Sequence, residues 1–368
     1  MRRADAIWYW NGSAIEDVTV DLSEMVGSSV TLSQDEILYV GYHDWLSGIL
    51  FDVTTNMSTA VTETYDGRTD TWRILPVQET ISQGLGTATR DITAYNFDKT
   101  GMVYWGTSPY MWQTKMTTNT WPENLGAGSP PFTDDEYFWV RVRNTGASPL
   151  TIIRVLPAPY NTYTDVEEIR QFAGLPDQIK EDTDPTATYV RQQIRAHEDQ
   201  LDNYTRKSWR LRPVFNEIHN FSPYGLESFR YPLWKLNSVY LWRGNGFDLL
   251  QEGRDQDYYY DPTTGMIYFT WVTLGMRPYR FQMNRYVQQP QSIILNYIYG
   301  EDFDISEQRQ MVADIIKSRV AADLAVQTTW SASFVTGDSS SMSKSEMVKD
   351  WRENADQKAA LLRGVLIK

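Results

Sequence analysis

The sequence predicts an α+β protein with more than one domain. Residues 1–160 contain short runs of alternating apolar and polar residues separated by turn residues, a pattern typical of an all-β domain. From residue 164 onward, helix start signals and helical periodicity occur on both sides of a second strand-rich block. Hydrophobic residues make up 41% of the 368 residues, which is enough for packed cores in both parts.

The N-terminal domain is predicted to span residues 1–158 and to be an all-β sandwich. Turns rich in Gly and Asn, such as Asn144-Thr145-Gly146, separate its predicted strands. Several strands at this spacing, without an amphipathic helix between them, are typical of two packed antiparallel sheets. The predicted strands are 37–40, 48–53, 71–75, 102–105, 137–142 and 151–155.

The second predicted domain spans residues 159–330 and contains three helices around a β block at 211–300. Thr164 and Glu167 form a predicted capping box for the first helix, and Asp184 is the predicted cap of the second. The helices are predicted at 164–174, 185–209 and 305–327. The third helix is predicted to turn five residues inward: Val312, Ile315, Ile316, Val320 and Leu324.

The long helix 185–209 contains an apolar stripe that also includes a histidine. The stripe has steps of four and three residues, which places its members on one helix face: Val190, Ile194, His197, Leu201 and Tyr204. Glu198 and Asp199 project from other faces, toward solvent, a neighbouring subunit or a lumen. His197, Glu198 and Asp199 therefore do not form a catalytic or metal-binding constellation, and the stripe is predicted to pack between subunits.

A Ser-rich stretch at 331–342 is predicted to be a flexible linker to a C-terminal amphipathic helix at 343–368. Ser343 and Glu346 form a second capping box. The helix has a narrow apolar stripe that includes Met347, Trp351, Ala355, Leu362 and Leu366. Such a stripe on a tether suits a groove on a partner, so these five residues are predicted to be docking residues.

Composition argues against several kinds of chemistry. The absence of cysteine excludes disulfides and thiolate catalysis, and the three histidines are far apart in the sequence. No phosphate-binding loop or nucleophile elbow is present. The sequence therefore predicts no enzymatic activity, no metal and no cofactor. The net charge of −13 argues against sequence-specific binding to nucleic acid. No apolar run is long enough for a membrane-spanning helix, and a soluble protein is expected.

The order of elements after residue 160 resembles that of the head–tail adaptor (connector) family of tailed phages. A long helix ending in "YTRKSWR" leads into strands such as "SVYLWRGNGFDLL", and a helix, a linker and a terminal helix follow. The glycine that usually follows the threonine is missing, since Thr205 is followed directly by Arg206. The resemblance is also carried by Ile194, Leu201, Tyr204 and Trp209.

The resemblance implies a virion protein that forms a ring, commonly of about twelve copies, beneath the portal. The ring would join the capsid to the tail, and genomic DNA would pass through it without sequence-specific binding. The implied partners are further copies of the chain, the portal protein, a tail-completion, stopper or tail-terminator protein, and the major capsid protein. The terminal helix would be the portal-docking element.

The N-terminal domain resembles the discoidin- or jelly-roll-type sandwiches found on phage structural proteins. The similar stretches include "DEILYVGYHDWLSGILFDV" and "YFWVRVRNTGASPLTIIRVL". Two alternatives remain open at this point. The Trp-rich sandwich could bind a carbohydrate or a receptor as part of a virion, or the chain could hydrolyse glycans through carboxylates that the sequence does not place.

Overall fold

The structure is a computed structural model of the chain and describes most of residues 4–365. The gaps in the description are 25–28, 55–57, 67–70, 76, 80–94, 97–99, 106–114, 117–136, 175–178, 181–182, 223–224, 243–245, 271–289, 302, 304–305 and 328–342. The described part is an α+β protein whose paired strands are all antiparallel, as the sequence predicts at the level of class.

The first sheet contains eight described strands in the order β2-β1-β4-β12-β6-β7, with β11 beside β12 and β9 beside β6. The strands are β1 (Ala6–Trp10), β2 (Ile15–Asp17), β4 (Ile37–Tyr42), β6 (Thr59–Asp66), β7 (Thr71–Ile74), β9 (Tyr95–Asn96), β11 (Lys115–Met116) and β12 (Tyr137–Asn144). Gly41 of β4 lies directly opposite Trp139 of β12. The indole of Trp139 covers this glycine so closely that a Cβ would lie 2.9 Å from its ring atoms.

The second sheet contains five described strands in the order β3-β13-β5-β10-β8. They are β3 (Val30–Leu32), β5 (Leu46–Val53), β8 (Gln78–Glu79), β10 (Gly101–Tyr104) and β13 (Leu150–Pro159). Val40 and Val142 of the first sheet share one hydrophobic cluster with Ile49 and Phe51 of the second. The two sheets therefore form two β layers around a common core, and strands lie at all six predicted positions.

The third and fourth sheets come from the 211–300 block. The third has the order β14-β20-β16-β17, formed by β14 (Arg212–His219), β16 (Leu233–Trp242), β17 (Phe247–Leu249) and β20 (Ile293–Tyr299). The fourth has the order β15-β19-β18, formed by β15 (Leu226–Glu227), β18 (Tyr258–Asp261) and β19 (Met266–Phe269). Val239 and Leu295 of the third sheet pack with Ile267 and Phe269 of the fourth.

The second sheet is buried on both faces. Leu50 and Met102 project away from the core shared with the first sheet and contact Leu211 and Ile298 of the 211–300 block. Because apolar residues alternate between the two faces of a strand, this second cluster accounts for the nearly continuous burial of β5.

The structure divides into two compact units, a β unit of residues 1–160 and 211–300 and a helical unit of residues 161–210 and 301–368. This grouping corrects the predicted domains in two respects. The 211–300 block belongs with the N-terminal sheets, because its apolar residues cover the second face of β5. The predicted separate C-terminal helix belongs to the helical unit, because Ala355 and Leu362 are buried in that unit's core.

The helices are α1 (Thr19–Glu24), α2 (Val166–Phe172), α3 (Ala187–Thr205), α4 (Arg309–Gln327) and α5 (Lys344–Val365). The last four form the helical unit, and the five residues of α4 predicted to face inward are all fully buried. The capping box of α5 is confirmed, since the backbone N–H of Ser343 donates to Glu346 at 3.0 Å and the N–H of Glu346 donates to Ser343 Oγ at 3.3 Å.

Two predicted helix starts are wrong by one or two residues. The N-cap of α2 is Asp165, whose carboxylate accepts from the backbone N–H of Glu168 at 2.8 Å. The N-cap of α3 is Thr186, whose hydroxyl accepts from the N–H of Tyr189 at 3.1 Å. In both places a neighbouring polar side chain has the extended backbone that an N-cap requires. The predicted linker at 331–342 lies outside the described residues.

Candidate functional site

The long helix α3 buries the stripe that the sequence predicted. Val190, Ile194 and Leu201 are fully buried in the core of the helical unit, and His197 is buried beside them. Tyr204 is 41% exposed and lies outside this core, with the guanidinium of Arg363 5.0 Å from its ring centroid. The apolar stripe is therefore part of the core of its own unit, and its prediction as a subunit-packing surface is corrected.

A second stripe of α3 is buried as well, and it is polar. It has the same alternating steps of four and three residues and consists of Arg191, Arg195, Glu198, Asp202 and Thr205. Glu198 is fully buried, so the prediction that it projects toward solvent, a subunit or a lumen is wrong. The sequence argument missed this because it treated charged residues beside an apolar stripe as exposed by default.

Glu198 is the centre of a buried hydrogen-bond network. Its Oε1 accepts from the backbone N–H groups of Thr162 and Tyr163, both at 2.7 Å. Its Oε2 accepts from the guanidinium of Arg210, which is also buried. One carboxylate therefore connects the segment that precedes α2 with the segment that follows α3.

Asp202 lies one turn further along the same helix and completes the network. It accepts from the hydroxyl of Tyr163 at 2.5 Å, from Ser208 Oγ at 3.1 Å, and lies 3.3 Å from Arg210. The Tyr163 oxygen in turn accepts from the backbone N–H of Trp209 at 2.9 Å. The Glu198, Asp202, Tyr163 and Arg210 side chains thus bond to one another inside the protein, although Arg210 Nε has no hydrogen-bond partner among the described residues.

The "YTRKSWR" sequence is what brings Arg210 to this position. Thr205 Oγ donates to the carbonyl of Leu201 at 2.8 Å, and Arg206 ends the helix with φ of 57°. This left-handed conformation favours glycine and commonly ends a helix, and here the non-glycine residue Arg206 adopts it. The chain then turns back, so that residues 208–210 run alongside the last turns of α3.

The segment that follows the 211–300 strands contacts the same motif. The backbone N–H of Glu301 donates to the carbonyl of Ser208 at 2.9 Å, and the side chain of Glu301 lies 2.7 Å from Lys207 Nζ. Trp209 is fully buried and its indole N–H donates to Gln308 at 3.1 Å. Residues 207–209 of the motif therefore contact both Tyr163 and Glu301, through backbone groups and through the side chain of Lys207.

Burial and charge fix the protonation states of this network. Burial raises the pKa of Glu198, while Arg210 and Arg195 oppose that effect. Burial alone would lower the pKa of Arg210, but the carboxylates of Glu198 and Asp202 raise it. Burial and the charge of Asp202 raise the pKa of Tyr163 well above its ordinary value. Arg210 is therefore a permanent cation, and the Tyr163 hydroxyl is a permanent donor near neutral pH.

The three histidines form three separate pairs with carboxylates. His43 Nδ1 lies 2.7 Å from Asp5, His197 Nε2 lies 2.9 Å from Asp323, and His219 Nε2 lies 2.6 Å from Glu217. Within the described ranges, no group of three or more metal-ligating side chains is close enough to hold an ion. Each of the three histidines therefore has a carboxylate neighbour of its own.

The docking residues predicted on the terminal helix are not exposed. Met347, Ala355 and Leu362 are buried, and Trp351 is half-buried against Phe172, with ring centroids 5.6 Å apart. They pack against other helices of the same unit, so the prediction of an open docking face at these positions is corrected. Leu366 lies outside the described residues.

Most of the described tryptophans of the sandwich are core residues. Trp8, Trp45, Trp105 and Trp139 are buried. Trp8 and Trp139 pack against each other at 5.4 Å between ring centroids, on the first-sheet face away from the core shared with the second sheet. Packing in the protein therefore accounts for these four tryptophans without a ligand.

Comparisons with protein-family models, with curated proteins and with solved structures gave no match to this chain. Among the helices that the structure describes, none combines the length and apolar character that crossing a bilayer requires.

Proposed function

We propose that the chain is a structural virion protein of the head–tail adaptor class without catalytic activity. It would form a ring beneath the portal of a tailed phage, join the capsid to the tail, and surround the path of the DNA. Its N-terminal sheets would be an appended sandwich of the discoidin or jelly-roll type. The supporting observation is the order of elements around the "YTRKSWR" motif.

That order consists of a short helix, a long helix, a strand block and two further helices. α2 and α3 precede the 211–300 strands, and α4 and α5 follow them. All four helices contribute to a single hydrophobic core although the strand block separates them in sequence. The motif residues Trp209 and Arg210 are buried where the chain leaves this core. A motif that makes buried contacts at this point of the chain has a structural reason to recur in proteins with the same order of helices and strands.

The charge of the chain is compatible with a DNA passage. A net charge of −13 repels phosphate, so DNA would pass such a surface without adhering to it. Glu198 and Asp202 do not contribute to a lumen in this proposal, because both are buried and contact Arg210. Exposed acidic side chains on other surfaces of the chain would have to do so.

The portal contact would use the outward face of α5, because the apolar stripe of this helix is buried in the core of the helical unit. Leu361 is 61% exposed and is the large apolar residue on that face. Exposed polar residues, including Asn354 and Gln357, lie on the turns before it. An apolar residue surrounded by polar groups is typical of the centre of a modest protein contact.

Sedimentation analysis and negative-stain imaging test the proposal directly. The purified chain is measured alone and after mixing with the portal protein of the same virus. A closed ring, or a complex with the portal, is the expected result. A chain that remains monomeric, does not bind the portal and does bind glycans would overturn the adaptor proposal.

A substitution pair tests the portal contact. Leu361→Glu is expected to weaken portal association at least tenfold, which is about 1.4 kcal/mol, without lowering the stability of the chain. Val20→Glu is the matched control, because Val20 is 64% exposed on α1 in the other unit. Equal binding by both variants would argue against this face of α5.

The carbohydrate- or receptor-binding alternative has no comparable support. Four described tryptophans of the N-terminal sheets are buried and cannot stack on a sugar. Trp10 and Trp72 are half-buried, and the guanidinium of Arg141 covers Trp72 at 4.5 Å from its ring centroid. A glycan array on the purified chain separates this alternative from the adaptor proposal.

A further inference from the structure

The loop at residues 228–231 carries the most exposed large apolar side chain in the described part of the chain. Phe229 is 68% exposed, and Arg230 and Tyr231 beside it are exposed as well. Among the described residues, the Arg230 side chain has no ion-pair partner. Arginine and tyrosine are among the residues that most often carry the binding energy of protein contacts. The loop therefore has the composition of a contact surface.

Hydrogen bonds and ring packing hold this loop in place. The backbone N–H of Ser228 donates to the carbonyl of Gly265 at 3.0 Å, and the N–H of Phe229 donates to Glu217 Oε1 at 3.0 Å. The Phe229 ring also lies against His219, with ring centroids 4.3 Å apart. Because the loop is ordered before any contact forms, binding through it would cost little conformational entropy.

The outer face of the fourth sheet is acidic around an apolar centre. Leu226 and Ile267 point into the core of the 211–300 block, so the residues that alternate with them along the strands point outward. Met266 of β19 lies between Glu227 of β15 and Asp261 of β18 and is the cross-strand neighbour of both. A half-buried methionine is thus flanked by two carboxylates.

Two stacked tyrosines adjoin this methionine on the same face. Tyr259 and Tyr268 are the next outward cross-strand pair, with ring centroids 5.1 Å apart and an interplanar angle of 20°. Tyr259 is 41% exposed. No basic residue stands at the five outward positions 227, 259, 261, 266 and 268. Such a face fits an aromatic side chain that contacts sulfur and rings, together with an arginine that pairs with the carboxylates.

The loop and this outer face complement each other, and both belong to the β unit. No ion pair joins Arg230 to Glu227 or Asp261 within the described chain, so the complementary groups are not used on one another in a single copy. Copies of a chain with a net charge of −13 repel one another at long range. Association of copies therefore needs a local contact between opposite charges, which this loop and this face provide.

We propose that the loop 228–231 of one copy binds the outer face of the fourth sheet of a second copy. Arg230 would pair with Glu227 and Asp261 of the second copy, and Phe229 would cover its Met266. Because the two surfaces differ, copies joined in this way keep one of each open, and further copies add head to tail. As the contact between ring subunits it rests on the proposed function, although the contact itself is measured without the portal.

Charge reversal tests the contact by sedimentation velocity of the purified chain over a range of concentrations. Arg230→Glu and Glu227→Arg are each expected to weaken self-association at least about tenfold. Glu227→Arg is the more diagnostic change. It replaces a charge of −1 by +1, so the net charge falls from −13 to −11, which by itself would favour association. The double variant places opposite charges across the contact again and is expected to recover most of the lost affinity.

Two matched controls reverse exposed charges elsewhere, Arg254→Glu in the turn before β18 and Glu307→Arg in the helical unit. Arg254→Glu should weaken self-association much less than Arg230→Glu, and Glu307→Arg should not weaken it. Equal effects of a variant and its control would overturn the contact, as would a double variant no better than the single ones. A chain that is monomeric at every concentration would also overturn it. If that monomer binds the portal, the adaptor proposal still stands, so the two proposals fail separately.

Discussion

The carboxylate of Glu198 and the guanidinium of Arg210 form an ion pair in which both side chains are buried. Twelve residues separate them in sequence, and the left-handed turn at Arg206 brings them together. Breaking such a pair leaves an uncompensated charge inside the protein, which is far more damaging than losing an exposed pair.

Arg210→Gln should therefore lower the free energy of unfolding of the helical unit by about 3–5 kcal/mol. The Lys349–Glu353 pair on α5 provides the control, because its two side chains are 74% and 59% exposed. Lys349→Gln should change stability by less than about 1 kcal/mol. Urea denaturation followed by circular dichroism measures both values. Equal small effects would show that the buried pair contributes little.

A double substitution refines this result. Glu198→Leu with Arg210→Met removes both charges of this pair together, while Asp202 loses its contact with Arg210. The loss should be smaller than the sum of the two single losses, since the residues interact directly. An additive result would mean that Glu198 and Arg210 act independently.

The terminal helix offers adjacent leucines with opposite environments. Leu362 is 2% exposed in the helical core, and Leu361 is 61% exposed. Leu362→Ala should destabilise the helical unit by about 2–5 kcal/mol because it leaves a cavity. Leu361→Ala should have an effect within about 0.5 kcal/mol. Thermal unfolding of the two variants checks the difference.

The expected effect of deleting residues 343–368 follows from the packing of the same helix. It removes Ala355, Ala359 and Leu362 from the core, so the helical unit should lose cooperative unfolding while the β unit keeps its own transition. A docking helix on a flexible linker, which the sequence pattern predicts, would instead leave a body that folds normally without it. Calorimetry of the truncated chain distinguishes the two expectations, because a transition of unchanged area would favour the sequence-based one.

Gly41 is expected to tolerate no side chain. A Cβ there would lie 2.9 Å from two atoms of the Trp139 ring, which is closer than real contacts allow. Gly41→Ala should destabilise the β unit by about 1–3 kcal/mol through overpacking. Gly246→Ala is the control, because a Cβ at Gly246 meets no described atom within 4 Å. Trp139→Leu in the Gly41→Ala background should recover part of the loss.

The stability of the protein is expected to fall at alkaline pH because of two buried tyrosines. Burial and a hydrogen bond to Glu217 raise the pKa of Tyr297, and burial with the charge of Asp202 raises that of Tyr163. Because the folded pKa values lie above the unfolded value of about 10, the stabilisation is complete below pH 10 and decreases as the pH rises above it. Tyr297→Phe should flatten this decrease in urea denaturation series. An unchanged slope would exclude Tyr297 as a cause.

Much of the local structure could be predicted because its causes are local. The capping box of Ser343 and Glu346 depends on a spacing of three residues, and the inward residues of α4 depend on helical periodicity. The caps of α2 and α3 were misplaced because several polar residues in a row can each act as a cap, and only backbone geometry selects Asp165 and Thr186.

The polar network was harder to predict because its partners are distant in sequence. Tyr163 and Arg210 lie on opposite sides of α3 along the chain, and no periodicity links them. A signal did exist in α3, where Arg191, Arg195, Glu198 and Asp202 repeat with helical spacing beside the apolar stripe. A charged stripe of this regularity, followed closely by Trp209 and Arg210, indicates a buried network.

The sequence by itself determined the α+β class, six of the thirteen described strands of the first two sheets and the inward face of α4, since alternation and periodicity encode which side of an element is apolar. Only the tertiary structure decided which surface each apolar face meets. It placed Leu50 against Leu211, Leu362 in the helical core, and Glu198 beside Arg210. The physical reason is that a pattern specifies that a face must be buried, while its partner depends on contacts between distant parts of the chain.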